Sequence, residues 1–227
     1  MLEIIAAALF FVGTHLVLAN ARVRPRLVQR LGEAGFRVAY SALSLAALVW
    51  FWYAFRRAPY LELWGPANAF KPLTTLMVLV AFLFAVVGLT TRNPAAIAAE
   101  SKLQDEDAIR GVLRITRHPF LWGVAIWALA HLMVNGDVAA VIFFTGLLLL
   151  SLIGTVGIDN KRRLKHGDDW VRFARATSNI PFLAIAQGRN QFQIREIGWW
   201  RPLLAVVVWV LFLHLHTRLF GVSPLVS

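Results

Sequence analysis

Histidine is the residue type whose placement in this sequence points most directly to chemistry. The chain has six histidines, and five of them fall inside or at the edge of long apolar runs: His15, His118, His131, His214 and His216. An ionisable side chain in hydrocarbon is unfavourable and usually faces the interior of a helix bundle, so each of the five is a candidate site residue. The sixth, His166, lies in the charged stretch 161–169 and is predicted to be solvated.

The absence of cysteine limits the cofactors that this chain can hold. Without cysteine the chain has no disulfide, no cysteine-ligated iron–sulfur cluster, no thiolate haem ligand and no covalently attached c-type haem. Neutral imidazoles from two different helices can still hold a haem iron as its axial ligands. The composition therefore permits a haem b site and does not by itself demonstrate one.

The depth of each histidine in the membrane does not by itself decide which two histidines share a site. With a rise of about 1.5 Å per residue, His15 lies roughly 8 Å from one membrane edge, whereas His131 and His214 lie roughly 18 Å from that edge. Depth alone therefore pairs His131 with His214, although a helix tilt of about 20° can close the gap to His15. His214 and His216 point to different faces of one helix, so we expect at most one of them to face a shared site.

A second candidate site lies around Arg117 and His118. The stretch 114–123 places two arginines and a histidine directly before Pro119, a residue suited to the first turn of a helix. Free backbone N–H groups and the helix dipole favour an anion at such a start, for example a phosphate, a carboxylate or a carboxyl-bearing cofactor. Helix initiation combined with anchoring of positive charge at the membrane surface is an equally good interpretation.

These residues must be positioned by helices in a membrane. Of the 227 residues, 59% are hydrophobic and 15% are charged, and the mean hydropathy is +0.64, which is typical of a chain embedded in lipid. We predict a single all-α domain over 1–227, a polytopic transmembrane bundle of about six spans with one interfacial helix over about 179–200. The predicted spans are 2–19, 36–55, 72–90, 119–134, 138–158 and 202–220. The turn residues 135–137 make the fourth and fifth spans a hairpin.

The basic residues predict the orientation of this bundle. Nineteen of the 23 Lys and Arg residues lie in the loops 20–36, 91–118 and 159–201 or at their edges, and four lie on the opposite side. The positive-inside rule then makes the first side cytoplasmic and puts both termini outside. Glu3 before the first apolar run, with arginines only after it, favours an uncleaved first helix over a signal peptide. A net charge of +11 distributed in this way indicates topology, not nucleic-acid binding.

The residues around His131 resemble a known family. The stretch 111–123, followed by Trp127, His131 and the turn 135–137, resembles the NnrU family of bacterial membrane proteins, as do Gly13-Thr14-His15 and the ending 215–225. The resemblance covers nearly the whole chain. It implies a bacterial inner (cytoplasmic) membrane protein that supports the expression or maturation of denitrification reductases.

The same residues are similar to the plastid and cyanobacterial 15-cis-zeta-carotene isomerases, which are membrane enzymes with haem b held between histidines. That likeness implies His15 and His131 as axial ligands of the haem iron, with a second tier of His118, His214, His216 and Arg117. It also implies a hydrophobic small molecule or a respiratory reductase system as partner, besides membrane lipid. The region around Arg56 and Arg57 contains no histidine that could exchange onto the iron.

A second resemblance leads to an alternative function. The stretches 117–123 and 161–175, with Ile180-Pro181, parallel the isoprenylcysteine carboxyl methyltransferases and phospholipid methyltransferases, which bind S-adenosylmethionine. In a lipid methyltransferase of this kind, Arg117, His118 and Asp159 would surround the cofactor. Those enzymes carry a pair of acidic residues where this chain has Asp159 alone, so the likeness indicates a shared scaffold more than a shared reaction. A third alternative is a non-enzymatic accessory factor for respiratory reductases.

Overall fold

The chain folds into α-helices joined by turns, as the sequence predicts. The computed structural model describes residues 1–20, 22–64, 67–95, 103 and 108–225. Seven α-helices lie within these residues: α1 Leu2–Leu18, α2 Val23–Arg57, α3 Lys71–Thr90, α4 Pro119–Val134, α5 Val138–Ala176, α6 Leu183–Ala186 and α7 Trp200–Phe220. The described residues form no strand beyond one isolated bridge between Glu62 and Asp137. The predicted all-α fold is therefore confirmed.

Four helical segments are long and apolar enough to cross a membrane: Val23–Arg57, Asn68–Thr90, Val138–Ala176 and Trp200–Phe220. Two shorter apolar helices, α1 and α4, have 17 and 16 residues and coincide with the predicted first and fourth spans. The architecture is thus a polytopic helix bundle, and six spans remain the prediction for its full count. Lys102, one of the nineteen basic residues on the predicted cytoplasmic side, lies outside the described residues.

Two helices extend well beyond their predicted spans. α5 has 39 residues, and a helix of that size is about 58 Å long, roughly twice the hydrocarbon thickness. Its first 21 residues, 138–158, are enough to cross the membrane, so the remainder projects beyond it. The projecting part bends at Gly167, where φ is +51°, and α2 bends at Gly32, where φ is +70°. His166, predicted to be solvated, lies half-buried directly before the bend in α5.

The predicted hairpin between α4 and α5 is present, and the loop after α2 forms hydrogen bonds to its turn. The Asp137 carboxylate caps α5 by accepting the backbone N–H of Ala140 at 3.0 Å. The Gly136 carbonyl accepts the backbone N–H groups of Leu63 and Trp64 at 2.7 and 3.1 Å. A Cβ on Gly136 would lie 2.1 Å from the Trp64 carbonyl oxygen, so only glycine fits this turn.

The helices of the bundle pack in two ways: aromatic side chains fill the space between α1, α2 and α5, whereas α3 and α4 are in close backbone contact. Phe11, Phe51, Phe143 and Phe144 come from α1, α2 and α5 and form the centre of one buried cluster, here called the aromatic cluster. α3 and α4 instead approach backbone to backbone, since a Cβ on Gly123 would lie 2.8 Å from both Ala81 O and Ala85 N. Small residues are what allow such close packing of helices in lipid.

The segment 179–200 is not one interfacial helix. It contains the four-residue helix α6 and a 3-10 turn at Ile194–Glu196, separated by turns. Pro181 removes a backbone donor, and Phe182 and Gly188 take positive φ values of 63° and 67°, so a continuous helix cannot form. The segment folds back against residues 111–118 and builds the site described next.

Candidate functional site

Four polar side chains meet where α4 begins, and we call them the Asp159 cluster: Asp159, Arg117, His118 and Asn179. The Arg117 guanidinium holds the Asp159 carboxylate through Nε at 2.9 Å and an Nη atom at 2.6 Å. The His118 Nε2–H donates at 2.6 Å to Oδ1, the same carboxylate oxygen that Arg117 Nε contacts. Asn179 adds a longer contact at 3.4 Å. His118 is only 4% exposed, so this carboxylate fixes a buried imidazole.

Backbone pairing between residues 115–118 and 178–182 holds the Asp159 cluster in place. The Arg117 N–H donates to the Ser178 carbonyl at 3.0 Å, and the Phe182 N–H donates to the Ile115 carbonyl at 2.8 Å. The Asn179 carbonyl accepts the Trp122 indole N–H at 2.8 Å. The segment after α5 thereby satisfies backbone groups that would otherwise be orphaned at the start of α4.

Electrostatics keep the Asp159 carboxylate charged. Burial raises its pKa, but the hydrogen bonds and charges of His118 and Arg117 outweigh burial and lower the pKa to about 2. The anion predicted near Arg117 and His118 is therefore, at least in part, the protein's own carboxylate. Asp159 lies 42 residues from Arg117, and no local sequence pattern links the two.

The lowered pKa makes stability depend on pH in a defined direction. Because the folded pKa of Asp159 lies below its ordinary value of 3.8, its stabilising contribution of about 2 kcal/mol is complete above pH 4 and is lost as the pH falls toward 2. We expect the thermal midpoint of the detergent-purified protein, followed by circular dichroism, to fall over this range. Asp159→Asn is the control and should show a smaller fall. Equal pH dependence in both proteins would contradict this assignment.

A second ion pair lies on the other side of the same segment. Arg114 holds Glu196 at 2.7 and 2.9 Å, and the Gly111 N–H also donates to Glu196 at 2.8 Å. The Arg114 hydrogen bond lowers the pKa of Glu196, since it stabilises the charged carboxylate. The sequence analysis did not identify Glu196, although it is the one acidic residue between Thr177 and Arg201.

The Arg114–Glu196 pair borders an apolar cleft between α3 and α7. The cleft has a volume of about 710 Å³, within the usual range for ligand pockets. Phe84 and Val87 of α3 line it, together with Ile115, Ile197 and Pro202. Its walls are almost entirely hydrocarbon, so it suits a long apolar molecule that enters from the lipid.

His15 and His131 are held in the same way. The Nδ1 of His15 lies 2.7 Å from the Phe11 carbonyl, and the Nδ1 of His131 lies 2.8 Å from the Trp127 carbonyl. A carbonyl can only accept, so each Nδ1 carries a proton, and in the neutral form of such a ring the lone pair lies on Nε2. Among the described residues neither Nε2 has a hydrogen-bond partner. Metal-binding histidines show this same pattern, with one nitrogen fixed by an acceptor and the other open.

The two imidazoles border the aromatic cluster from different sides. The His15 ring lies 4.5 Å from Phe11, and the His131 ring lies 4.9 Å from Phe144. Phe51 and Phe143 connect these two phenylalanines, so the structure does not bring the imidazoles into direct contact. Each ring leans toward the N-terminus of its own helix. The predicted six-span topology gives α1 and α4 opposite directions, and in that topology the two rings lean toward a common depth.

The histidines of α7 are placed differently from each other. His214 is exposed, whereas His216 is half-buried, with its Nδ1 donating to the Val222 carbonyl at 2.8 Å. The His216 ring lies 4.8 Å from Phe220, which in turn contacts Trp52 of α2. Depth had favoured His214 as the partner of His131, but of these two residues His216 is the one that faces the bundle.

Comparison with known proteins gives one family and two related enzymes. Residues 3–224 match the family described as "NnrU protein". The chain is 30% identical over 187 residues to the chloroplastic 15-cis-zeta-carotene isomerase of Arabidopsis thaliana and 28% identical over 186 residues to that of Zea mays. These alignments cover 80% and 81% of this chain and 50% of each relative, so the chain spans about half the length of the relatives it matches. No solved structure matches.

Proposed function

We propose a function for this chain from its family and its histidines, because the chain belongs to the NnrU family. In this proposal the chain is an integral membrane enzyme of the isomerase type that binds haem b through His15 and His131. Its reaction changes the geometry of a double bond in a long apolar substrate. The observation that carries the proposal is the pair of imidazoles with fixed Nδ1–H groups and Nε2 atoms without a hydrogen-bond partner among the described residues. The similarity to 15-cis-zeta-carotene isomerases supports the reaction type.

The two imidazoles have the donor chemistry that a haem iron takes as axial ligands, and binding one iron to both requires the phenylalanines between the rings to move aside. The Phe11 and Trp127 carbonyls fix which nitrogen of each ring is protonated, and Phe144 packs on the His131 ring and limits its rotation. Bound haem b supplies a redox-active iron whose affinity for axial ligands depends on its oxidation state. The aromatic cluster keeps water away from the rings. The apolar cleft between α3 and α7 offers a surface to part of a long substrate chain, although neither His15 nor His131 lines it.

The test combines a spectrum with a reaction. The full chain is expressed in haem-replete cells and purified in mild detergent, and its absorption spectrum is expected to contain the Soret band of haem b. The protein is then expressed in cells that accumulate 15-cis-zeta-carotene, where we expect chromatography to show loss of the 15-cis isomer. A colourless protein would contradict haem binding, and haem without isomerisation would contradict the enzymatic part.

A second candidate is an accessory role in denitrification. Two imidazoles with open Nε2 atoms also suit a protein that holds haem and supports the maturation of respiratory reductases. Deleting the gene from a denitrifying host is then expected to reduce reductase assembly without changing its carotenoids. The methyltransferase alternative is less favoured, because Arg117, His118 and Asp159 already bind one another.

The proposed location is the inner membrane of a bacterium, with both termini outside. Support comes from the side of the membrane that carries only four Lys and Arg residues. Two of these, Arg56 and Lys71, donate to the carbonyls of Phe220 and Leu225, so the loop between α2 and α3 lies on the same side as the residues that follow α7.

Single cysteines can test this orientation, because the chain contains no cysteine of its own. In intact spheroplasts we expect a membrane-impermeant maleimide to label exposed Ser223→Cys. Gln191→Cys, also at an exposed position, should be labelled only after the membrane is opened. The reverse pattern would contradict this orientation.

A further inference from the structure

A crevice opens beside the Asp159 cluster, on the part of α5 that projects beyond the membrane. Its volume is about 470 Å³, and its charged lining consists of Arg117, Asp159, Arg163 and Arg175. Trp170, only 2% exposed, forms part of the wall, with the Arg117 guanidinium 6.0 Å from the ring centroid. The crevice therefore combines guanidinium groups with an indole wall in a space large enough for a small ligand.

The charge of this crevice is not balanced from within. Three arginines face one carboxylate, and that carboxylate is occupied by Arg117 and His118. Arg163 and Arg175 are exposed, and among the described residues their side chains have no hydrogen-bond or ion-pair partner. Two guanidinium groups are therefore free to bind an anion, while the Arg117–Asp159 pair at the inner wall is electrically balanced.

The position of the crevice indicates where the anion would come from. Arg163 lies five residues past the end of the span at residue 158, or about 8 Å along the helix. That distance corresponds to the headgroup layer on the arginine-rich side of the protein. Arginine forks bind phosphate oxygens in pairs, and two forks suit a phosphate better than a single carboxylate.

We propose that this crevice binds a phosphate-bearing ligand through Arg163 and Arg175. The phosphate oxygens lie between the two guanidinium groups at the mouth, and the rest of the ligand lies against Trp170 and Val171. An anionic phospholipid headgroup and a soluble phosphate ester share this chemistry. The proposal is independent of haem binding and of the isomerase reaction.

The experiment measures the thermal midpoint of the full chain in neutral detergent with two probes. One is inorganic diphosphate, and the other is phosphatidylglycerol added to the detergent micelles, with diacylglycerol, which carries no phosphate, as the lipid blank. Binding to the folded protein raises the midpoint by an amount that grows with the ratio of free ligand concentration to Kd. Stabilisation by phosphatidylglycerol but not by millimolar diphosphate identifies a lipid headgroup, and stabilisation by diphosphate identifies a soluble phosphate ester. No stabilisation by either probe overturns the proposal.

Two matched double variants distinguish binding in this crevice from non-specific binding to positive surface charge. The Arg163→Gln/Arg175→Gln double variant is expected to weaken binding by at least about tenfold, because both charge-assisted bonds are removed. The control is Arg30→Gln/Arg172→Gln, which removes two exposed charges that do not line the crevice. The control is expected to stay within about twofold of the wild type, by the usual weakness of screened surface charges. Equal loss in both double variants overturns the proposal.

Discussion

His131→Ala is expected to remove the haem absorption of the purified protein, and His15→Ala is expected to do the same. Under the proposed function each residue supplies one axial bond through its open Nε2 atom. Haem b has no covalent attachment in a chain without cysteine, so these bonds and the apolar surroundings hold it alone. We expect at least a tenfold loss of haem per mole of protein for either variant, measured by the pyridine haemochrome assay.

The α7 histidines are the controls for this result. His214→Ala alters an exposed side chain and is expected to retain the wild-type spectrum. His216→Ala tests the alternative partner, because His216 is half-buried and also has a fixed Nδ1. If His216→Ala removes the haem and His15→Ala leaves it in place, the ligand pair is His131 with His216 and the assignment of His15 is wrong. Circular dichroism of each variant checks that the helices remain folded.

Asp159→Ala is expected to lower the free energy of unfolding by about 2–4 kcal/mol, the second large effect. The side chains it leaves behind, Arg117 and His118, are only 12% and 3% exposed. Removing one partner of a buried ion pair leaves a charge without its counter-charge and a donor without its acceptor. Denaturant or thermal unfolding in detergent, followed by circular dichroism, measures the change.

Asp169→Ala is the matched control for the Asp159 variant. Asp169 lies on the same helix and pairs with Arg172, whose side chain is 72% exposed, so its removal is expected to change stability by less than about 1 kcal/mol. Asp159→Asn is expected to fall between the two, because the amide keeps the size and one acceptor of the carboxylate but loses its charge. A stability loss for Asp159→Ala no larger than that for Asp169→Ala would show that the Asp159 cluster does not hold α4 and α5 together.

The helical elements could be predicted because their signals are local. A run of apolar residues long enough for the bilayer, Pro119 at a helix start and Asn135-Gly136-Asp137 at a turn each act within a few residues. The structure confirms the all-helical fold and the hairpin on these grounds. The family could likewise be identified from residues around His15 and His131, and the match over residues 3–224 confirms it.

Local sequence signals did not predict features of the structure that depend on backbone conformation or on contacts between distant residues. Apolar residues between Asn179 and Trp200 suggested one interfacial helix, but positive φ values at Phe182 and Gly188 divide the segment into turns. Hydropathy predicts the span 138–158 but not the length of the helix, and α5 continues to Ala176 because no proline follows the span within it, with a bend at Gly167.

What the sequence by itself determined is the class of the protein and the residues capable of chemistry, since membrane spans follow from hydropathy and intramembrane histidines are visible as residue types. Only the tertiary structure decided what those residues contact. The sequence left two interpretations of Arg117 and His118 open, an external anion or helix initiation with charge anchoring. In the structure both side chains bind Asp159, because folding brings α5 against the start of α4. His131 stays a predicted haem ligand, with its Nδ1 fixed by its own helix, and the helices packed around it decide which imidazole can share its iron.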